Sequence, residues 1–204
     1  QDLNDCGFVS GQAYAKGLRT VKTCVGNVWC RFGTQDAMNM GITIEKLTWG
    51  SWTPHKFKIA VSGCPRNCAE ATIKDLGIIG VDSGWEISIA GNGGIKVRVT
   101  DFLCKVETDE ELLTYVKAFM QFYREDAYYL ERTAHWVERT GLQYVKDVML
   151  DKQKVSYYAN KFEISQKSAQ VDPWAKAIEE GFTKEFNPIV INPEQSHSFE
   201  AKEI

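Results

Sequence analysis

The chain has 204 residues, with 24 Lys and Arg against 27 Asp and Glu, so its formal net charge is −3. This balance argues against a nucleic-acid-binding protein, which would carry a strong excess of basic residues. No run of about eighteen uninterrupted apolar residues occurs, so no membrane-spanning helix is expected. Hydrophobic residues make up 44% of the chain, which is ordinary for a globular domain.

The first part of the chain mixes loops with short elements. Residues 1–23 are expected to form loops, and a helix is predicted after Thr34 because apolar residues recur there at helical spacing. The residues with that spacing are Ala37, Met40, Ile44 and Leu47. A strand is predicted at 57–61, followed by the loop SGCPRNC over 62–68 and a short helix at 69–74.

Three strand-like runs come next, at 76–81, 85–90 and 95–99. The segments that join them, DSG and GNGG, have the composition of hairpin turns. The pattern then changes to helices. Thr108 and Glu111 have the spacing of a capping box at the start of one helix.

Further helices are predicted at about 126–140, ending at Gly141, and at about 142–149. The sequence from 151 onward is more polar, with one helix predicted near 174–185 and a tail after it. We therefore predict an α+β fold, an antiparallel or mixed sheet with helices packed on it. The expected division is a main unit over 1–150 and a C-terminal helical extension with a tail over 151–204.

Six cysteines are present, and four of them form two close pairs. Five residues separate Cys24 from Cys30, and three separate Cys64 from Cys68. Two pairs of thiolates brought together by a sheet can ligate a four-iron cluster. A structural zinc site is the main competing interpretation, although the first spacing is wider than zinc pairs usually show. Unliganded thiols or disulfides are a third interpretation of the paired cysteines. Cys6 and Cys104 are interpreted as thiols that take no part in the site.

Glycine lies close to both pairs. Gly63 before Cys64 permits a positive φ, and Pro65 after it stiffens the backbone. Gly26 lies inside the first pair and Gly33 just beyond it. This chemistry suits a cluster loop and also suits an ordinary tight turn.

Acidic residues are absent from two windows that contain all four paired cysteines. Residues 6–35 and 46–69 hold no Asp or Glu, whereas the chain average would place about seven there. The pattern favours binding of something negative, such as an anionic cluster, an acidic cofactor or an oxyanion. A basic patch that balances the acidic C-terminal half is the competing interpretation.

The stretches TCVGNVWCRFG and HKFKIAVSGCPRNCAEATIKDLGIIGV resemble the iron–sulfur and siroheme region of nitrite and sulfite reductases. Downstream segments, GWEISIAGNGG and FYREDAYYLERTAHWVERTGL, resemble the C-terminal part of NAD(P)H-dependent assimilatory nitrite reductase large subunits. The resemblance runs from about residue 14 to about residue 150 and is less distinct beyond. It implies one half of a siroheme and iron–sulfur module, whereas the family's site is built from two related halves.

The resemblance also implies roles for individual residues. Cys24, Cys30, Cys64 and Cys68 would hold a 4Fe–4S cluster, and Cys68 would in addition be the axial ligand of siroheme. The other residues implicated are basic side chains and amides: Arg19, Arg31, Lys56 and Lys58 as catalytic candidates, and Arg66, Asn67 and Asn92 as cofactor-binding candidates. In this chain the siroheme site is expected to be incomplete.

The implied activity is the six-electron reduction of nitrite to ammonium by a longer protein of which this chain is a part. The alternatives are sulfite reduction at the same centre and a non-catalytic electron-transfer module that carries only a cluster. FAD and NAD(P)H are expected in upstream domains, and those domains or a small subunit would supply electrons. Reduced cysteines without an export signal indicate a cytoplasmic protein with no nucleic-acid or membrane partner.

Overall fold

A five-stranded mixed sheet forms the centre of the protein in the computed structural model, which describes residues 14–169. The strands are β1 (Leu18–Thr23), β2 (Phe57–Ser62), β3 (Leu76–Val81), β4 (Gly84–Ile89) and β5 (Asp101–Val106), and they lie side by side in that order. The first three strands are parallel, whereas β4 and β5 continue the sheet antiparallel. The predicted α+β class with a mixed sheet is confirmed.

Residues 14–169 also form six α-helices. They are α1 (Gly26–Trp29), α2 (Ala37–Thr48), α3 (Asp109–Asp126), α4 (Thr133–Thr140), α5 (Leu142–Met149) and α6 (Lys152–Ala169). Short 3-10 turns occur at Tyr14–Lys16 and Ala71–Ile73. Within residues 14–169, no helix is long and apolar enough to cross a membrane.

The core lies between the helices and one face of the sheet. Alternate residues of the strands point into it, among them Phe57 on β2 and Trp85 on β4, as period-2 alternation requires. Phe119 of α3 packs on Phe57 with ring centroids 6.2 Å apart, and Trp136 of α4 lies 6.0 Å from Phe119. These buried rings bind the helices to the sheet.

The ends of the long helices follow the local sequence. Thr108 accepts a hydrogen bond from the Glu111 N–H at 3.2 Å, as the capping-box prediction requires. The Glu111 carboxylate accepts a hydrogen bond from the N–H of Glu107. In a standard capping box this carboxylate bonds the N–H of the N-cap residue itself, which here is Thr108. Gly141 ends α4 with a φ of 88°, which confirms the predicted helix end.

Several predicted elements differ from the structure. The strand predicted at 95–99 is wrong, because Ile95, Val97 and Val99 are exposed and the fifth strand is instead Asp101–Val106. Residues 18–23, expected to be loop, form β1, and the segment 69–74 contains only a 3-10 turn. The helix predicted at about 126–140 is α4, and it starts at Thr133 because residues 127–132 form a loop.

Helix α6 extends the helical layer beyond residue 150. It packs along α3 through buried Val155, Ala159 and Phe162, and Gln166 donates to the carbonyls of Leu47 and Trp49. The helix predicted near 174–185, the tail and Cys6 lie outside the described residues.

Candidate metal centre

The two cysteine pairs follow adjacent parallel strands. Cys24 comes directly after β1, and Cys64 comes two residues after the end of β2. The strands pair so that Thr23 lies beside Val61. Because the carboxyl ends of neighbouring parallel strands share one edge of the sheet, both cysteine loops meet there.

The loops touch each other backbone to backbone at Gly63. A Cβ at this position would lie 2.7 Å from the Gln35 carbonyl oxygen and 3.0 Å from the Gly26 Cα. The Gly63 carbonyl also accepts from the N–H groups of Thr34 and Gln35, at 2.8 and 3.0 Å. The positive φ expected at Gly63 occurs instead at Gly26, with a value of 65°. Gly63 is therefore required by close approach of the two loops.

All four paired cysteines line one cavity of about 200 Å³. Cys64 is buried, Cys24 and Cys30 are partly buried, and Cys68 is exposed. The Gly63 N–H donates to the Cys24 sulfur at 3.1 Å, so one loop bonds directly to a thiol of the other. Across residues 14–169 no group of three or more His, Cys, Asp and Glu side chains lies in an arrangement that could hold a metal ion. The four thiols all belong to the lining of the one cavity. That donor set fits a polynuclear cluster.

Asn67 braces the second cysteine loop from within. Its backbone has a φ of 57°. Its side-chain oxygen Oδ1 accepts hydrogen bonds from the Ala71 N–H at 2.6 Å and from the Ser62 hydroxyl at 3.3 Å. Its amide nitrogen donates to the Thr72 hydroxyl at 2.8 Å. These bonds engage the Asn67 amide in positioning the backbone between Cys64 and Cys68.

The predicted basic residues divide into two groups. Arg66 lines the cavity, and Arg66 and Arg31 both stack on the Phe32 ring. Arg19 and Lys56 lie close to Lys58 on the β1–β2 part of the sheet. Burial lowers the pKa of Lys58, and the neighbouring cations Arg19 and Lys56 lower it further. This second group is a concentration of positive charge suited to an anion.

Asn92 lies apart from both groups. Its amide donates to the Lys96 carbonyl at 2.8 Å, and its own backbone pairs with Arg98. His55, two residues before β2, accepts from the Lys56 N–H through Nδ1. Burial and the nearby Arg132 lower the pKa of His55, which favours the neutral imidazole.

A buried carboxylate that sequence analysis missed joins β2 to the start of α4. Asp75 precedes β3 and is fully buried. It accepts from the Arg132 guanidinium at 2.9 and 3.0 Å, from the Thr133 hydroxyl at 2.5 Å and from the Lys58 N–H at 2.9 Å. Its partners on α4 lie 57 and 58 residues away in the sequence, so no local pattern signals the contact.

Phe32 is a second residue that sequence analysis missed. It lines the cavity two residues after Cys30, next to Arg31 and Gly33. Its position two residues after Cys30 was the one feature of the sequence that could have indicated Phe32. Its contact with Arg66 of the other loop is seen only in the structure.

Four thiols around one cavity, held by two loops at the edge of a mixed sheet, are the arrangement expected of an iron–sulfur protein. The nitrite and sulphite reductase 4Fe-4S domain model matches residues 14–156. The chain belongs to that family.

Relatives of known name agree with this assignment. The chain is 52% identical over 176 residues to the nitrite reductase NAD(P)H of Bacillus subtilis (strain 168), covering 86% of this chain and 22% of the relative. It is 46% identical over 153 residues to the nitrite reductase (NADH) large subunit of Escherichia coli (strain K12), covering 74% and 18%. The chain therefore spans about a fifth of these relatives.

A sulfite reductase is also similar. The chain is 34% identical over 140 residues to the assimilatory-type sulfite reductase of Nitratidesulfovibrio vulgaris (strain Hildenborough), covering 69% of this chain and 64% of the relative. Two solved structures share the fold. Dissimilatory sulfite reductase I has a TM-score of 0.62 at 15% identity over 71% of this chain and 54% of that chain. The Mycobacterium tuberculosis NirA protein has a TM-score of 0.61 at 19% identity, covering 72% and 29%.

Proposed function

We propose that this chain carries the 4Fe–4S cluster of a siroheme-dependent nitrite reductase. Cys24, Cys30, Cys64 and Cys68 would hold the cluster. The observation that carries this proposal is that all four cysteines line a single cavity. When bound, the cluster supplies reversible one-electron transfer. The chain's own contribution is to fix four thiolates, with the Gly63 N–H on one of them, at the edge of a rigid sheet.

Siroheme is proposed to lie on the Cys68 side of the cavity. Cys68 is the exposed member of the set, so its sulfur can reach a second group outside the cavity. The positive charges of Arg19, Lys56 and Lys58 would bind carboxylates of that cofactor or the substrate anion. We propose that the rest of the siroheme site, FAD and NAD(P)H belong to other parts of the complete enzyme.

Nitrite is the proposed substrate and ammonium the proposed product. The names and identities of the relatives support nitrite, since those at 52% and 46% identity are nitrite reductases and the sulfite reductase is 34% identical. Sulfite remains the second candidate because the same family model describes both activities.

Cluster binding can be tested with one cysteine variant and one matched control. Anaerobically purified protein should contain about four irons and four acid-labile sulfides per chain. Cys64→Ser should abolish both. Cys104→Ser should retain them, because Cys104 lies on β5 outside the cavity and burial raises the pKa of its thiol to about 12. Zinc without sulfide in the wild-type protein would refute the proposal.

The substrate requires the complete enzyme. Steady-state assays with nitrite and sulfite in competition should give a higher kcat/KM for nitrite. A higher kcat/KM for sulfite would mean that sulfite, and not nitrite, is the substrate. The assignment of the cluster would not change. Iron and sulfide with no siroheme absorption in the complete protein would instead indicate an electron-transfer module.

A further inference from the structure

The two cysteine loops are joined by a side-chain contact that spans the cavity wall. Phe32 belongs to the first loop, two residues after Cys30, and Arg66 lies in the second, between Cys64 and Cys68. The Arg66 guanidinium carbon lies 3.7 Å from the centroid of the Phe32 ring. Both side chains line the cavity, so the contact closes part of its boundary.

The geometry is that of a cation–π stack. Phe32 is 42% exposed, so the contact lies where the cavity lining reaches the protein surface. Arg31 also lies over this ring, at 4.5 Å, but it belongs to the same loop as Phe32 and is outside the cavity lining. Arg66 therefore provides the link from one loop to the other.

We propose that Phe32 and Arg66 form a flap that shields the cysteine cavity from solvent and dissolved oxidants. In the loaded protein, which rests on the cluster proposed above, they act as positioning residues that limit access to the inorganic core. Solvent access is one of the factors that set the properties of an iron–sulfur cluster.

The first test measures how fast the cluster bleaches in air. Phe32→Leu and Arg66→Gln should retain iron and sulfide but lose their visible absorption about fivefold faster than the wild type, equivalent to about 1 kcal/mol. This is the size typical of a cation–π contact. The double variant should bleach no faster than the faster single variant, since both substitutions break one contact. Trp29→Leu is the matched control, because Trp29 ends α1 three residues before Phe32, is 77% exposed and does not line the cavity.

The second test uses the cluster-free protein and alkylation by a bulky maleimide, followed by mass spectrometry of each cysteine. Both flap variants should speed alkylation of buried Cys64 severalfold and leave exposed Cys68 unchanged. Unchanged bleaching and unchanged Cys64 alkylation would overturn the flap while leaving the cluster in place. Absence of iron and sulfide from the wild type would overturn the proposed function, and Cys64 alkylation would still decide whether the flap closes the cavity.

Discussion

Replacing Asp75 with alanine should strongly destabilise the fold. The carboxylate is fully buried and joins three separate parts of the chain, β2 through the Lys58 N–H, β3 through its own position, and α4 through Arg132 and Thr133. Alanine would leave all of these donors without an acceptor. The Arg132 side chain is only 14% exposed, so water can solvate its guanidinium only in part.

The expected loss is about 3–5 kcal/mol of unfolding free energy, the usual cost of removing one partner of a buried ion pair. A folded domain has roughly 5–15 kcal/mol in total, so the variant should fold but lose much of its margin. With a urea m-value of about 2 kcal/mol per molar, the unfolding midpoint should fall by about 2 M.

Urea unfolding followed by tryptophan fluorescence measures this midpoint, with Asp147→Ala as the control because Asp147 is an exposed helical carboxylate. The control should change stability by less than about 0.5 kcal/mol. The double variant Asp75→Ala/Arg132→Leu should recover at least about 1 kcal/mol, since no guanidinium is then left unpaired. A loss below about 1 kcal/mol for Asp75→Ala, or strict additivity in the double variant, would refute the reasoning.

Three further changes are accessible to the same unfolding assay. Thr108→Ala should cost about 1 kcal/mol by removing the N-cap of α3, and an unchanged midpoint would contradict the cap. Trp136→Ala should cost about 3–5 kcal/mol, because its buried ring contacts Phe119 and Phe122. Lys58→Met should raise stability by about 0.5 kcal/mol at low salt, because burial and then the neighbouring cations disfavour the charged form and lower the pKa of Lys58. That gain should shrink as salt is added, and a salt-independent gain would point to packing instead of charge.

The sequence predicted best where the determining contacts are local. The capping box at Thr108, the stop at Gly141 and the hairpin between β3 and β4 all depend on residues within a few positions of each other. The same alternation that predicts a strand also fits the exposed segment 95–99, where the structure forms a single bridge, between Asn92 and Arg98. Local alternation cannot reveal whether a strand has a partner.

Elements that depend on distant partners were missed for the same reason. Strand β1 is mostly polar and forms because β2 lies beside it, and α6 is largely polar apart from the residues that pack on α3. At the candidate site, the spacing of the cysteines was sufficient to group them, and the structure places all four around one cavity. Their role as ligands remains a prediction. The Asp75–Arg132 pair and the Phe32–Arg66 contact arise from folding across long sequence separations, which residue spacing does not encode.

The parallel pairing of β1 with β2 also determines when the cavity can exist. Cys24 and Cys64 are forty residues apart, and helix α2 must cross over before their strands can align. Contacts of such long sequence separation form late and slowly. We therefore expect a newly made chain to carry two separate pairs of thiols until β1 and β2 pair, so that the proposed cluster would enter a site already completed by folding. Loading would then be limited by the rate of folding, and anything that delays β1–β2 pairing would lengthen the time during which these thiols are open to oxidation.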